Sequence, residues 1–138
     1  MIKKYELDLY PVNLWVGTYQ DFSETKKKFE FYEDIPGMHA NKPADYVPDV
    51  SHGTAVTFIV REKKSTDKGI LILLNDDFID EVDFFVFDIV THETVHATDY
   101  IWQLIGAEHN DNVDEPFAYL AGWIAGKIGQ YYLDLIKE

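Results

Sequence analysis

Residues 92–96 read His92-Glu93-Thr94-Val95-His96, a complete H-E-x-x-H pattern. On a helix, residues four apart share a face, so both imidazoles can reach one ion. Glu93 leaves the neighbouring side position, placed to take a proton from a metal-bound water. Zinc-dependent hydrolysis asks for these parts: fixed nitrogen ligands, an open coordination position, and a base beside the water. The spacing predicts His92 and His96 as metal ligands and Glu93 as catalytic base. The competing reading is a helix with incidental polar residues. A mostly apolar helix has little reason to bury His, Glu and His without a use.

The elements around the motif must position it. Asp80 suits a helix N-cap, Glu81 and Asp83 suit a first turn, and Gly106 suits the position just past a helix end. A helix over about 81–105 is therefore expected. Phe84, Phe85, Phe87, Ile89 and Val90 make it apolar on most sides ahead of the motif, which predicts a buried helix. A polar loop follows, then Asp114-Glu115-Pro116 opens a second helix, over about 115–137. Small residues at Ala118, Gly122, Ala125 and Gly129 predict close approach of the motif helix along that stripe.

A catalytic zinc usually keeps three protein ligands and a water. Glu115 is the best third candidate, because it begins the helix expected to pack on the motif helix. The alternative for Glu115 is a helix N-terminal acid favoured by the dipole.

Upstream lie the strands. Residues from about Lys4 to Gly17 read as one strand, or as two halves bent at Pro11. Asp21 and Glu24 resemble a capping box, which predicts a short helix from Phe22 to about Tyr32. Residues 34–53 hold three prolines and two glycines and read as a long loop of functional type, able to cover a cleft. Thr54 to Arg61 and Ile70 to Leu74 read as an antiparallel hairpin across the turn at Thr66-Asp67-Lys68-Gly69. The expected fold class is α+β: a small, mainly antiparallel three-stranded sheet on a buried motif helix and a C-terminal helix. At 138 residues the chain is expected to form a single domain.

Composition narrows the function. The formal net charge is -13, which repels phosphate backbones and disfavours nucleic-acid binding. With no cysteine, disulfides, thiolate zinc sites and cysteine nucleophiles are excluded. The N-terminus lacks an apolar signal region and no run approaches a membrane span, so a cytoplasmic protein is expected.

The run His92-Glu93-Thr94-Val95-His96-Ala97-Thr98-Asp99-Tyr100, followed by Glu115, resembles the gluzincin branch of zinc metallopeptidases, typified by thermolysin. The resemblance implies a zincin-like fold. It implies zinc held by His92, His96 and Glu115, with Glu93 as base. It covers about a third of the chain, and the size is closer to minimal zincin-like proteins of bacteria and phages. The family places an Asp four residues after its ligand Glu, where this chain has Tyr119. Its downstream transition-state His has no counterpart after His109. Two substitutes are expected instead. Asp99, on the imidazole face, would hydrogen-bond a ligand His. Tyr119, one turn after Glu115, would donate to a developing oxyanion. For Asp99 a plain exposed acid is an equal alternative, and for Tyr119 simple packing. His39, His52 and His109 read as solvated loop histidines.

The expected function is a zinc-dependent hydrolase, a metallopeptidase acting on a peptide or protein. The alternative from another class is an inert zinc-bearing module that binds a protein. A structural domain without metal is the third reading.

Overall fold

A computed structural model describes residues 1–7, 10–32, 50, 53–78, 84–106 and 114–137. Five strands form one sheet: β1 (Lys3–Glu6), β2 (Asn13–Thr18), β3 (Phe29–Tyr32), β4 (Ala55–Glu62) and β5 (Lys68–Leu74). Their order is β1-β2-β5-β4-β3. The sheet is mixed, because β2 runs parallel to β5, with Leu14 opposite Ile70 and Val16 opposite Ile72, while the other pairs are antiparallel. This corrects the expectation of a mainly antiparallel three-stranded sheet. The fold is α+β, but with five strands, one parallel pair and three α-helices among the described residues: α1 (Phe22–Lys28), α2 (Phe84–Leu104) and α3 (Asp114–Lys137).

Two local readings account for the extra strands. Of the two readings of the first segment, the two-strand one holds, and the strands fold back on each other with Lys3 opposite Val16. The helix expected to run to Tyr32 stops at Lys28, where Phe29 turns extended at φ -123° and ψ 148°. Phe29-Glu30-Phe31-Tyr32 then pairs with β4 as its edge strand. The predicted hairpin of β4 and β5 is present, in the register Ala55 to Leu74 and Arg61 to Lys68.

β5 is central, and Gly69 to Leu74 is buried on both faces, which is why it reads as an unbroken apolar run. Strand alternation sends Leu14, Val16, Ile59, Ile70, Ile72 and Leu74 to one face, where α2 and α3 pack. Trp15, Phe29, Phe31, Val60, Leu71 and Leu73 fill the other face, against Tyr19 and Phe22. The backbones of β2 and β5 meet tightly at Gly69. A Cβ there would lie 2.0 Å from the Asn13 carbonyl oxygen. Gly69→Ala is expected to cost about 1–3 kcal/mol through the forced backbone shift. A urea midpoint equal to the parent's would contradict that contact.

The helix pair differs from expectation in two ways. α2 is amphipathic rather than buried all round: Val86, Ile89, Val90, Ala97 and Ile101 face the core, while Phe87 is 65 % exposed and Val95 53 %. The side chains of Phe84 and Phe85, and residues Asp80, Glu81 and Asp83, lie outside the described set. α2 ends as expected, with Gly106 at φ +75° and its N–H donating to the Gln103 carbonyl at 3.0 Å. On α3 the core face is Leu120, Ile124, Ile128 and Tyr131. Gly122, Gly126 and Gly129 have open space where a Cβ would go, so these glycines are not the contact with α2. The long segment read as a loop over 34–53 lies almost wholly outside the described residues.

Candidate functional site

α2 turns its two motif imidazoles outward and its motif carboxylate inward. The Nε2 atoms of His92 and His96 stand 3.2 Å apart. Their rings are inclined at 69° with centroids 4.8 Å apart. One turn further along, Tyr100 stacks on His96 at 6.2 Å and 24°. Residues 92, 96 and 100 follow the four-residue spacing of one helix face, so the rings line up by helix geometry alone. The imidazoles are therefore steadied by each other and by Tyr100, and are exposed rather than buried with the helix.

The separation of the two nitrogens is chemically informative. Two nitrogens bound to one tetrahedral zinc at about 2.0–2.1 Å lie about 3.3–3.4 Å apart. The pair already stands close to that spacing. A neutral pair without an ion also satisfies it, one Nε2–H donating to the other ring's lone pair. Two imidazoles suit zinc, copper, nickel or iron better than magnesium or calcium. The two nitrogens suit zinc by type and spacing, with His92 and His96 as the residues that would hold it, but they are two of the three protein ligands a catalytic zinc usually keeps.

Glu93 occupies a different environment. It is 4 % exposed, and its carboxylate accepts a hydrogen bond of 2.5 Å from the Thr57 hydroxyl of β4. Tyr132 of α3 faces the same region. Its hydroxyl is buried and has no hydrogen-bond partner among the described residues. Burial first, then the Glu93 carboxylate and Tyr19, push this phenol above the ordinary tyrosine range, so it stays a neutral O–H donor. The Thr94 hydroxyl is also buried without a partner among the described residues. A buried hydrogen bond between Thr57 and Glu93, felt electrostatically by Tyr132, therefore lies behind the solvent-facing imidazoles.

Neither Thr57 nor Tyr132 was picked out from the sequence. Thr57 carried a faint signal: it interrupts the helix-facing series Ala55, Thr57, Ile59 on β4. Tyr132 carried none, because an aromatic at a core position of a helix reads as packing.

The remaining site residues differ in exposure. Glu115 is exposed in the first turn of α3, Tyr119 is 74 % exposed further along it, and Asp99 is half-buried on α2. Among the described residues no three His, Asp or Glu side chains gather as one metal ion would need. The structure brings His92 and His96 together and does not add Glu115 to them. His39, His52 and His109 lie outside the described residues.

Comparison with known protein families, with curated proteins and with solved structures finds no match for this chain. The resemblance to gluzincin peptidases is accordingly withdrawn. No family match supports it, the three-ligand group it implies is absent among the described residues, and the mixed five-stranded sheet is not the zincin-like arrangement it implies. The chemistry of residues 92–96 stands on its own geometry. Among the described residues no helix is long and apolar enough to cross a membrane.

Proposed function

We propose that this protein is a zinc-dependent hydrolase that cleaves peptide bonds in a peptide or protein substrate. The observation that carries the reading is the 3.2 Å separation of the His92 and His96 nitrogens on an exposed helix face. Bound zinc supplies positive charge that polarises a carbonyl and acidifies water. Glu93, next along the chain, would accept the proton from the attacking water and return it to the leaving amine once its carboxylate, turned inward at 4 % exposure, swings toward the imidazole face. Its burial limits competing solvation, and the Thr57 hydroxyl occupies one carboxylate oxygen. Val95, exposed beside the pair, gives a substrate side chain an apolar contact. The net charge of -13 argues against a nucleic-acid substrate.

Zinc titration with metal analysis tests the centre. The parent is expected to hold one zinc per chain. His92→Ala and His96→Ala should each weaken binding by more than about 100-fold, since even outer partners of a ligand are worth about 10–100-fold. Glu115→Ala is expected to weaken it far less, because its carboxylate stands outside the pair. A parent that takes up almost no zinc, or a His92→Ala variant that binds like the parent, would remove the reading. Full zinc binding with no cleavage of a broad peptide library would favour the inert binding module instead.

A further inference from the structure

We propose that the His92–His96 pair binds zinc between two copies of this chain, each copy supplying two of the four nitrogens. The inference rests on the zinc site of the reading above and not on its hydrolysis. It asks nothing of Glu93, which stays turned inward.

Three observations support it. First, the pair is half of a ligand set. Its Nε2 atoms stand 3.2 Å apart, close to the spacing of two nitrogens on one tetrahedral zinc, yet no third His, Asp or Glu joins them among the described residues. A structural zinc closes its shell with four protein ligands, and two such pairs supply four. Second, the pair stands on an open face. Thr91, His92, Val95 and His96 are all exposed on one side of α2, while Glu93, Thr94 and Ala97 turn inward. A second copy meeting this face finds a threonine and a valine beside the imidazoles, and no long side chain of either sign between them. Val95, 53 % exposed, gains an apolar contact there. Third, each chain carries a formal charge of -13, so two copies repel unless a cation lies between them. Association therefore follows the metal.

Symmetry sets the shape. The same patch on both copies gives an isologous pair, with the ion on its twofold axis. Opposite edges of a tetrahedron are perpendicular, and each nitrogen pair follows its helix from one turn to the next. The two α2 helices therefore cross steeply and touch over a short stretch. Such a contact falls well below the roughly 1,200–2,000 Å² of a stable interface, so the ion holds the copies together rather than the protein surface. With four nitrogens bound, no position is open to water, and the bridged form is a closed state of the same site.

Metal-free parent is titrated with zinc while its mass is followed by sedimentation velocity, at a chain concentration on the order of tens of micromolar. The mass is expected to rise toward twice that of the chain as zinc reaches about half an ion per chain. It should fall back toward a single chain once zinc passes one ion per chain, because each pair then takes its own. EDTA should return the bridged form to single chains. His92→Ala and His96→Ala should stay single chains throughout, with circular dichroism showing the parental fold. The parent's maximum at half an ion tests the inference without any variant.

A parent that binds zinc and stays a single chain overturns the inference while leaving the zinc site intact. So does a dimer that forms without zinc, one that forms equally in His96→Ala, or an assembly that keeps growing as zinc is added. A parent that takes up no zinc overturns this inference and the hydrolase reading together, and metal analysis tells that case apart.

Discussion

Glu93→Gln is expected to lower turnover by about 10²–10⁴-fold, the range a positioned general base supplies, while zinc binding stays near parental. The substitution keeps shape and removes basicity. The glutamine carbonyl oxygen can still accept the Thr57 hydroxyl that Glu93 accepts now. The new amide group can donate to the Tyr132 hydroxyl oxygen, which has no partner among the described residues. Glutamine also spares the cost of a buried charge, so the melting temperature should hold or rise. The imidazoles face solvent on the other side of α2 and are untouched. Three readouts therefore separate the roles. Metal per chain reports on His92 and His96, turnover reports on Glu93, and melting temperature reports on the buried Thr57–Glu93 contact. Undiminished turnover in Glu93→Gln would sink the base. A collapse of zinc content would instead make Glu93 part of the metal centre.

The motif was legible because helix periodicity places residues 92 and 96 together whatever surrounds them, and the structure keeps them at 3.2 Å. The side of the helix on which Glu93 lies was not legible. That depends on which face of α2 meets the sheet. The run of apolar residues ahead of the motif suggested burial all round, whereas Phe87 proves exposed. The third ligand failed for a related reason. A carboxylate at the start of α3 joins the imidazoles only if the two helices are offset by the right amount, and sequence spacing through an intervening loop does not set that offset. The glycines of α3 misled by the same route. Their spacing fits a close helix contact, but Leu120, Ile124 and Ile128 compete for that face. Large aliphatic side chains bury more apolar area at about 25 cal/mol per Å², so they take the core side.

Among the strands, the β4–β5 hairpin was legible because its two halves are local and one is continuously apolar. β3 was not, because Lys26-Lys27-Lys28 and the following Phe29 prolong a helical reading. Only pairing with β4 makes Phe29–Tyr32 extended. The parallel pairing of β2 with β5 joins segments about fifty residues apart. No local propensity announces such a pair, since it is decided by which strand can be buried on both faces.

The largest stability effect is expected on the sheet face away from the motif. Trp15 of β2 is 0 % exposed and meets Phe29 edge to face at 4.8 Å and 65°. Trp15→Ala should cost about 3–5 kcal/mol, the range for removing a buried aromatic. Domains are stable by only about 5–15 kcal/mol in total, so much of the variant should be unfolded at modest urea. Trp15→Phe should lie far closer to the parent. The indole Nε1–H is buried with no partner among the described residues, and an unpaired buried donor costs about 1–3 kcal/mol. Phenylalanine removes that donor and keeps most of the contact with Phe29, so the gain offsets part of the lost ring volume. Urea unfolding followed by circular dichroism measures both variants. A Trp15→Ala midpoint at the parent's value would mean that this cluster does not hold the sheet. The imidazole pair sits across the sheet from Trp15, so folded Trp15→Phe should bind zinc as the parent does. Weakened zinc binding in that variant would show instead that the far cluster sets how α2 presents His92 and His96.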